Sequence, residues 1–295
     1  MRYQFIEGHR EEFPIRRMCR VLDVSPSGYY GWRRRPVSPR EMANQELVEQ
    51  IREIHAESHQ TYGSPRIYKE LRENKVGCSE NRVARLMRVN GIQVKQSKQY
   101  KVTTKADKSH PVAPNLLDRE FTSDKPNEKW TADITYIPTL EGWLYLAVIL
   151  DLFSRRVVGW AMSARMTSAL VIDALNMACR QRRPGPELIH HSDRGSQYTG
   201  QPYQQLLKDN LIQVSMSGTG DCYDNAPTES FFGRLKTERV HHARYESRAE
   251  AKTDIFFYIE AFYNRRRRHS TLNYASPAAY EAAYYQRQSV LTLCP

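Results

Sequence analysis

The order of elements legible between residues 121 and 263 constrains this chain more than any other feature. Alternating apolar positions predict strands over Lys129–Ile137, Trp143–Leu152 and Val157–Ser163. A helix over Ser168–Arg182 follows, with Leu170, Val171, Ala174, Leu175 and Ala178 recurring at steps of three and four. Strand Glu187–His191, helix Pro202–Asn210, strand Ile212–Ser217 and a helix bearing Glu229 come next, and a last long helix is expected over Ser247–Tyr263. Three successive strands pair antiparallel, and strands that then alternate with helices add to the same sheet. The reading is an α/β unit, a mixed five-stranded sheet with flanking helices.

Three acids stand out within this pattern. Asp133 interrupts the alternating strand Trp130-Thr-Ala-Asp-Ile-Thr-Tyr-Ile-Pro138, where an unpaired buried carboxylate is expensive. Asp193 lies where the apolar run from Leu188 ends in an acid and a glycine turn. Glu229 follows after 35 intervening residues, in the first turns of a helix with Asp224 as N-cap and Pro227 at a tolerated early position. Strand centre, strand end and helix face converge in a mixed sheet, and carboxylate oxygens suit hard divalent cations. Two such ions ~3.5–4 Å apart serve phosphodiester chemistry well. Singly, each acid has an ordinary reading as a turn acid or a helix N-terminal glutamate, so the residues alone leave the trio open. Lys236, seven residues after Glu229, shares its helix face and could hold a substrate phosphate, while Phe231 and Leu235 would anchor that helix.

Charge supports a polyanionic partner. The 295 residues carry a net charge of +11. Residues 1–120 hold 23 Lys and Arg against 15 Asp and Glu, and the remainder 21 against 18, so the surplus lies outside the acid-bearing region. Residues 1–40 read as an N-terminal helical segment and a candidate helix-turn-helix, with a turn at Asp23-Val-Ser-Pro26. Residues 41–92 read as a helix-turn-helix-like DNA-binding unit whose third helix, Asn81–Arg88, buries Val83, Leu86 and Met87. Its Arg82, Arg85 and Arg88 share a face that would meet DNA. Residues 93–120, with Lys95, Lys98, Lys101, Lys105 and Lys108, read as a basic linker, and 286–295 as a tail. Arg265, Arg266, Arg267 and Arg268 form a basic run read either as a phosphate contact or as a solvated helix end. Arg194 and Asn225 are further DNA-contact candidates, and at most one of His190 and His191 faces the acids.

Five scattered cysteines without C-x-x-C spacing argue against a disulfide framework. His55, His59 and Cys78 lack a fourth zinc ligand, and the histidines read as surface residues. No apolar run reaches the ~20 residues that span a bilayer. The expectation is a soluble cytoplasmic protein.

The segments Trp130–Ile137, Asp151-Leu-Phe-Ser-Arg155, Val158-Gly-Trp160, His191-Ser-Asp-Arg-Gly-Ser-Gln-Tyr198, Ser215-Met-Ser217, Asp224-Asn-Ala226, Glu229-Ser-Phe-Phe232, Leu235-Lys236 and Tyr263-Asn264 resemble one family. They are similar, in this order over about 121–285, to insertion-sequence transposases of the IS-three type, and residues 41–91 resemble the helix-turn-helix that precedes that core. The resemblance implies an RNase H-like, retroviral-integrase-like core with Asp133, Asp193 and Glu229 as metal-binding catalytic triad and Lys236 as a DNA contact. It further implies two Mg²⁺ ions, with Mn²⁺ able to stand in, and metal-dependent strand cleavage and transfer at the ends of an insertion sequence. Implied partners are double-stranded DNA, further copies of the chain, and an upstream-frame product fused to it or acting beside it. The implied setting is the nucleoid of a bacterium. Ala132 departs from the Thr or Asp of many relatives, beside the triad acid and without replacing it.

Overall fold

The computed structural model describes residues 1–95, 113–218 and 225–293. The chain opens with α1 (Arg2–Gly8), α2 (Ile15–Val21) and α3 (Pro26–Arg34), which enclose a small core of Ile6, Met18, Cys19 and Tyr29. Ser25 caps α3 by accepting from the Gly28 amide at 2.9 Å. Next come α4 (Pro39–Glu57), α5 (Ser64–Glu73) and α6 (Glu80–Val89). The predicted stripe of α6 is buried, and Ser79 caps the helix. His55 is a correction: it lies buried on the inner face of α4 beside Ile51, not at the surface.

The sheet follows. β1 (Lys129–Thr139), β2 (Gly142–Asp151) and β3 (Val157–Ser163) pair antiparallel, with Asp133 opposite Val148. After α7 (Ser168–Arg182), β4 (Ile189–Ser192) pairs parallel to β1. The one-turn α8 (Ser196–Thr199) and α9 (Gln201–Asp209) lead to β5 (Gln213–Met216), parallel to β4. The strand order is β3-β2-β1-β4-β5, the mixed, RNase H-like sheet expected. The chain then forms α10 (Ala226–Glu238), α11 (Arg248–Phe257) and α12 (Pro277–Leu293).

Side-chain alternation splits the core in two. Trp130, Ala132, Ala147, Ile149 and Val158 pack under α7 and α9. Gly159 is required there, since a Cβ would sit 2.3 Å from the Ala174 carbonyl oxygen of α7. On the other face Ile137, Leu146, Val148 and Leu150 meet Phe231, Phe232 and Leu235 of α10 and Ile255 of α11. This second core runs on into Ile51, Ile67, Leu71 and Val83, so α4–α6 pack onto the sheet unit. Polar contacts fasten the junction: the Arg268 amide donates to Tyr62 Oη at 2.8 Å, Arg66 Nε donates to the Arg268 carbonyl at 3.0 Å, and the Arg268 guanidinium bridges Glu70 and Glu73.

Two elements depart from the sequence reading. The helix expected over Ser247–Tyr263 is α-helical only to Phe257 and continues as a π-turn over Tyr258–Tyr263. The sequence reading also lacked α12, whose small alanines give no apolar stripe. It is held by the rings of Tyr280 and Tyr284 against Phe153 and by a polar anchor. Glu281 is 2% exposed and accepts from Arg156 Nη1 at 2.7 Å and Arg182 Nη1 at 2.9 Å. Arg182 also lies 3.8 Å from Asp151, which accepts from the Asn127 amide at 2.7 Å. Among the described residues no helix is long and apolar enough to cross a membrane.

Candidate active site

The ladder fixes where the acids point. Trp130 and Ala132 face α7, so Thr131 and Asp133 face the α10 side, as does Val148 opposite Asp133. β4 runs beside β1 with His191 next to Thr131, and Asp193, two residues further, continues on that face. The hydroxyls of Thr131 and Thr228, both fully buried, meet at 2.6 Å and pin α10 to β1 one residue before Glu229. All three acids therefore lie on one side of the sheet.

Electrostatics tie them together. Burial pushes the Asp133 carboxyl up to about 8, the Asp193 charge adds to this, and Glu229 adds a smaller share. The Ile134 amide, donating to Asp133 Oδ1 at 2.7 Å, and the Lys236 ammonium pull the other way. Burial also raises Asp193, against the Gly195 amide that donates to it at 2.9 Å, and desolvation raises Glu229. Lys236 Nζ stands 4.9 Å from the centre of the Tyr136 ring; burial lowers its pKa while Tyr136 and Asp133 support its charge. Among the described residues no three His, Cys, Asp or Glu side chains are yet drawn close enough to hold an ion, and Glu229, on an exposed helix face, is the outermost acid. The donor set nonetheless fits a hard divalent cation. It consists of carboxylate oxygens whose mutual repulsion, expressed at Asp133, a cation would cancel.

The other expected contacts divide. Arg85 and Arg88 are exposed on α6, while Arg82 is half-buried and donates to Asn44 Oδ1 at 2.9 and 3.1 Å. Arg265 and Arg266 are exposed, Arg266 beside Glu57 at 2.7 Å. Arg267 and Arg268 are buried, held by Glu238 and by Glu70 with Glu73, and the expectation that they meet DNA is corrected for both. Asn225 is also buried and donates to the Ala132 carbonyl at 2.9 Å, so it too is withdrawn as a DNA contact. Arg194 donates to the Ser217 carbonyl at 2.7 Å. His190 and His191 are both fully buried, with His190 against the Tyr203 hydroxyl and His191 against Ser215, so neither contacts substrate. Burial takes His190 down to about 3. Asp224 and the linker lysines Lys98, Lys101, Lys105 and Lys108 lie outside the described residues. Sequence reasoning missed the Thr131–Thr228 pin. Both threonines adjoin the acid motifs, but nothing in the sequence pairs them.

The chain is similar to known proteins over most of its length. Residues 123–222 match the integrase core domain family, residues 229–284 a second integrase core domain family, and residues 42–100 an HTH-like domain family. The chain is 46% identical over 269 residues to the insertion element IS600 uncharacterized 31 kDa protein of Shigella sonnei, covering 91% of this chain and 99% of that protein. It is 44% identical over 283 residues to the transposase InsF for insertion sequence IS3A of Escherichia coli strain K12, covering 95% and 98%. A more distant likeness is to the HTLV-2 integrase catalytic core domain in complex with magnesium, at 18% identity and a TM-score of 0.41 over 53% of this chain and 97% of that one. With such identity over nearly the whole length of its bacterial relatives, the chain belongs to the IS3 family of insertion-sequence transposases.

Proposed function

We propose that Asp133, Asp193 and Glu229 are the catalytic, metal-binding triad of a DNA transposase that cleaves and transfers strands at the ends of an insertion sequence. The observation that carries this is the placement of the three acids on one side of the sheet, Asp133 on β1, Asp193 just past β4 beside it, and Glu229 next to the Thr228 that is pinned to Thr131. Two Mg²⁺ ions, replaceable by Mn²⁺, supply Lewis-acid stabilisation of the attacking and leaving oxygens when bound. Asp133 and Asp193 would hold them from the sheet, and Glu229, on an exposed helix face, would complete the set. Lys236 offers its ammonium to a non-bridging phosphate oxygen on the same helix face. The chain's own groups thus bind and orient the scissile phosphate, and no side chain forms a covalent bond to DNA. Hydrolysis frees a 3′-hydroxyl at the element's end, and that hydroxyl displaces the 3′-oxygen of a target phosphodiester.

Arg85 and Arg88 on α6 contact the duplex, joined by the exposed Arg265 and Arg266, and by Arg194 near Asp193. The active form is a homo-oligomer on double-stranded DNA, alone or with an upstream-frame product, in the nucleoid. Labelled element ends incubated with the chain and Mg²⁺ test the reading. Joined products support it, nicks alone indicate a nuclease, and binding alone indicates a regulator. Asp193→Asn should remove both nicks and joints while sparing binding; a variant that still joins ends would refute the triad.

A further inference from the structure

The ladder between β1 and β4 stops one step short of the acids, and Asn225 stands where it stops. The Glu128 carbonyl accepts from the Ile189 amide at 2.9 Å, and the pairing runs from Lys129 beside Ile189 to Thr131 beside His191. A parallel ladder is evenly spaced, so each carbonyl two residues on in β1 takes the amide two residues on in β4. The next step would bring the Asp193 amide to the Ala132 carbonyl. That carbonyl accepts instead from Asn225 Nδ2 at 2.9 Å. The carboxamide therefore fills the fork where β1 and β4 part, and the two arms of that fork carry Asp133 and Asp193.

Its orientation is fixed by chemistry. A carbonyl oxygen only accepts, so Nδ2 must face Ala132 and Oδ1 must face away. Asn225 is 7% exposed, and among the described residues its Oδ1 has no hydrogen-bond partner. A buried acceptor left without a donor is costly and calls for an explanation. Asn225 is also the residue from which α10 starts, and the Thr131–Thr228 contact holds the same helix to the neighbouring strand position. One side chain thus touches the arrangement of all three acids.

We infer that Asn225 is a positioning residue of the active site. It spaces the two acid-bearing strands and sets the first turn of the Glu229 helix, and so holds the three carboxylates in register. The inference rests on the triad reading above. Groups that orient metal ligands change metal affinity by about 10–100-fold when removed.

The experiment compares the full-length wild type with Asn225→Ala, Asn225→Leu and Asp193→Asn. Mn²⁺ affinity is read from the electron paramagnetic resonance of the free ion, the Mg²⁺ midpoint from cleavage, and end-DNA affinity without divalent cation. Both Asn225 variants should lose about tenfold or more in Mn²⁺ affinity, raise the Mg²⁺ midpoint in step, and bind DNA as wild type does. Asn225→Leu keeps the side-chain volume, so it carries the test should Asn225→Ala not fold. Unchanged Mn²⁺ affinity in a folded variant overturns the inference, as does a loss confined to DNA binding. Asp193→Asn separates the two levels. If it binds Mn²⁺ like wild type, the triad reading itself fails; if it loses Mn²⁺ while the Asn225 variants keep it, only the role of Asn225 falls.

Discussion

Replacing Arg267 by alanine should damage stability, because its charge is matched inside the protein. The guanidinium and the Glu238 carboxylate are 2% and 6% exposed, with contacts of 2.6, 2.9 and 3.0 Å between them. Tyr258 adds a hydroxyl donated to Glu238 at 2.8 Å. Arg267→Ala would leave Glu238 ionised and buried with that single neutral donor. Breaking one side of such a pair costs about 3–5 kcal/mol, a large part of the ~5–15 kcal/mol that holds a protein folded. At ~2–4 °C per kcal/mol for a unit of this size, the melting temperature should fall by about 6–20 °C. The double variant Arg267→Met/Glu238→Leu removes both charges and should recover most of the loss, short of the Tyr258 hydrogen bond. Thermal and urea unfolding read these values. A single variant within about 1 kcal/mol of wild type, or a double variant no more stable than the single, would refute the reasoning.

Other outcomes follow from the same structure. Gly159→Ala should lose about 1–3 kcal/mol, measured by urea unfolding, because the new methyl meets the Ala174 carbonyl oxygen. Asp133 is raised from 3.8 to about 8, so between those values the folded form holds a proton that the unfolded form does not. Metal-free stability should therefore fall as pH rises through that window, and Mg²⁺ affinity should climb by up to about tenfold per pH unit below 8 and then level. A flat metal titration from pH 6 to 8 would contradict this. Neutralising Arg85 and Arg88 together should flatten the salt dependence of DNA affinity by about 1.8 in logarithmic slope, whereas Arg267→Met should leave the slope unchanged.

What the sequence disclosed depended on whether periodicity encoded it. β3 and α7 fall on the residues expected, since their apolar spacing is regular and Thr167 precedes the first turn. The three acids stood out because an acid interrupts the alternation of β1 and another ends an apolar run, but the residues alone left the trio open; the pairing of β1 with β4 supplies the common face. The basic run was opaque. Four consecutive arginines look alike in sequence, yet two are exposed and two are buried by Glu70, Glu73 and Glu238 from distant elements. α12 escaped because a polar contact at Glu281 and two tyrosine rings on Phe153 hold it, not a continuous apolar stripe. Asn225 was read as a substrate contact because its role depends on where one strand pair ends, and register between distant segments is not written in either one.

The Glu281 contact also bears on the order in which the fold is completed. Arg182, at 10% side-chain exposure, has Asp151 on one side and needs Glu281 on the other, and a ribosome delivers residue 281 long after the sheet's own strands. Until α12 is made, Arg182 has Asn127 Oδ1 at 2.7 Å and Asp151 at 3.8 Å but lacks the two-sided match that Glu281 completes. Order of synthesis therefore leaves this corner of the sheet, where β2 ends at Asp151, as the last to gain its full set of charge partners.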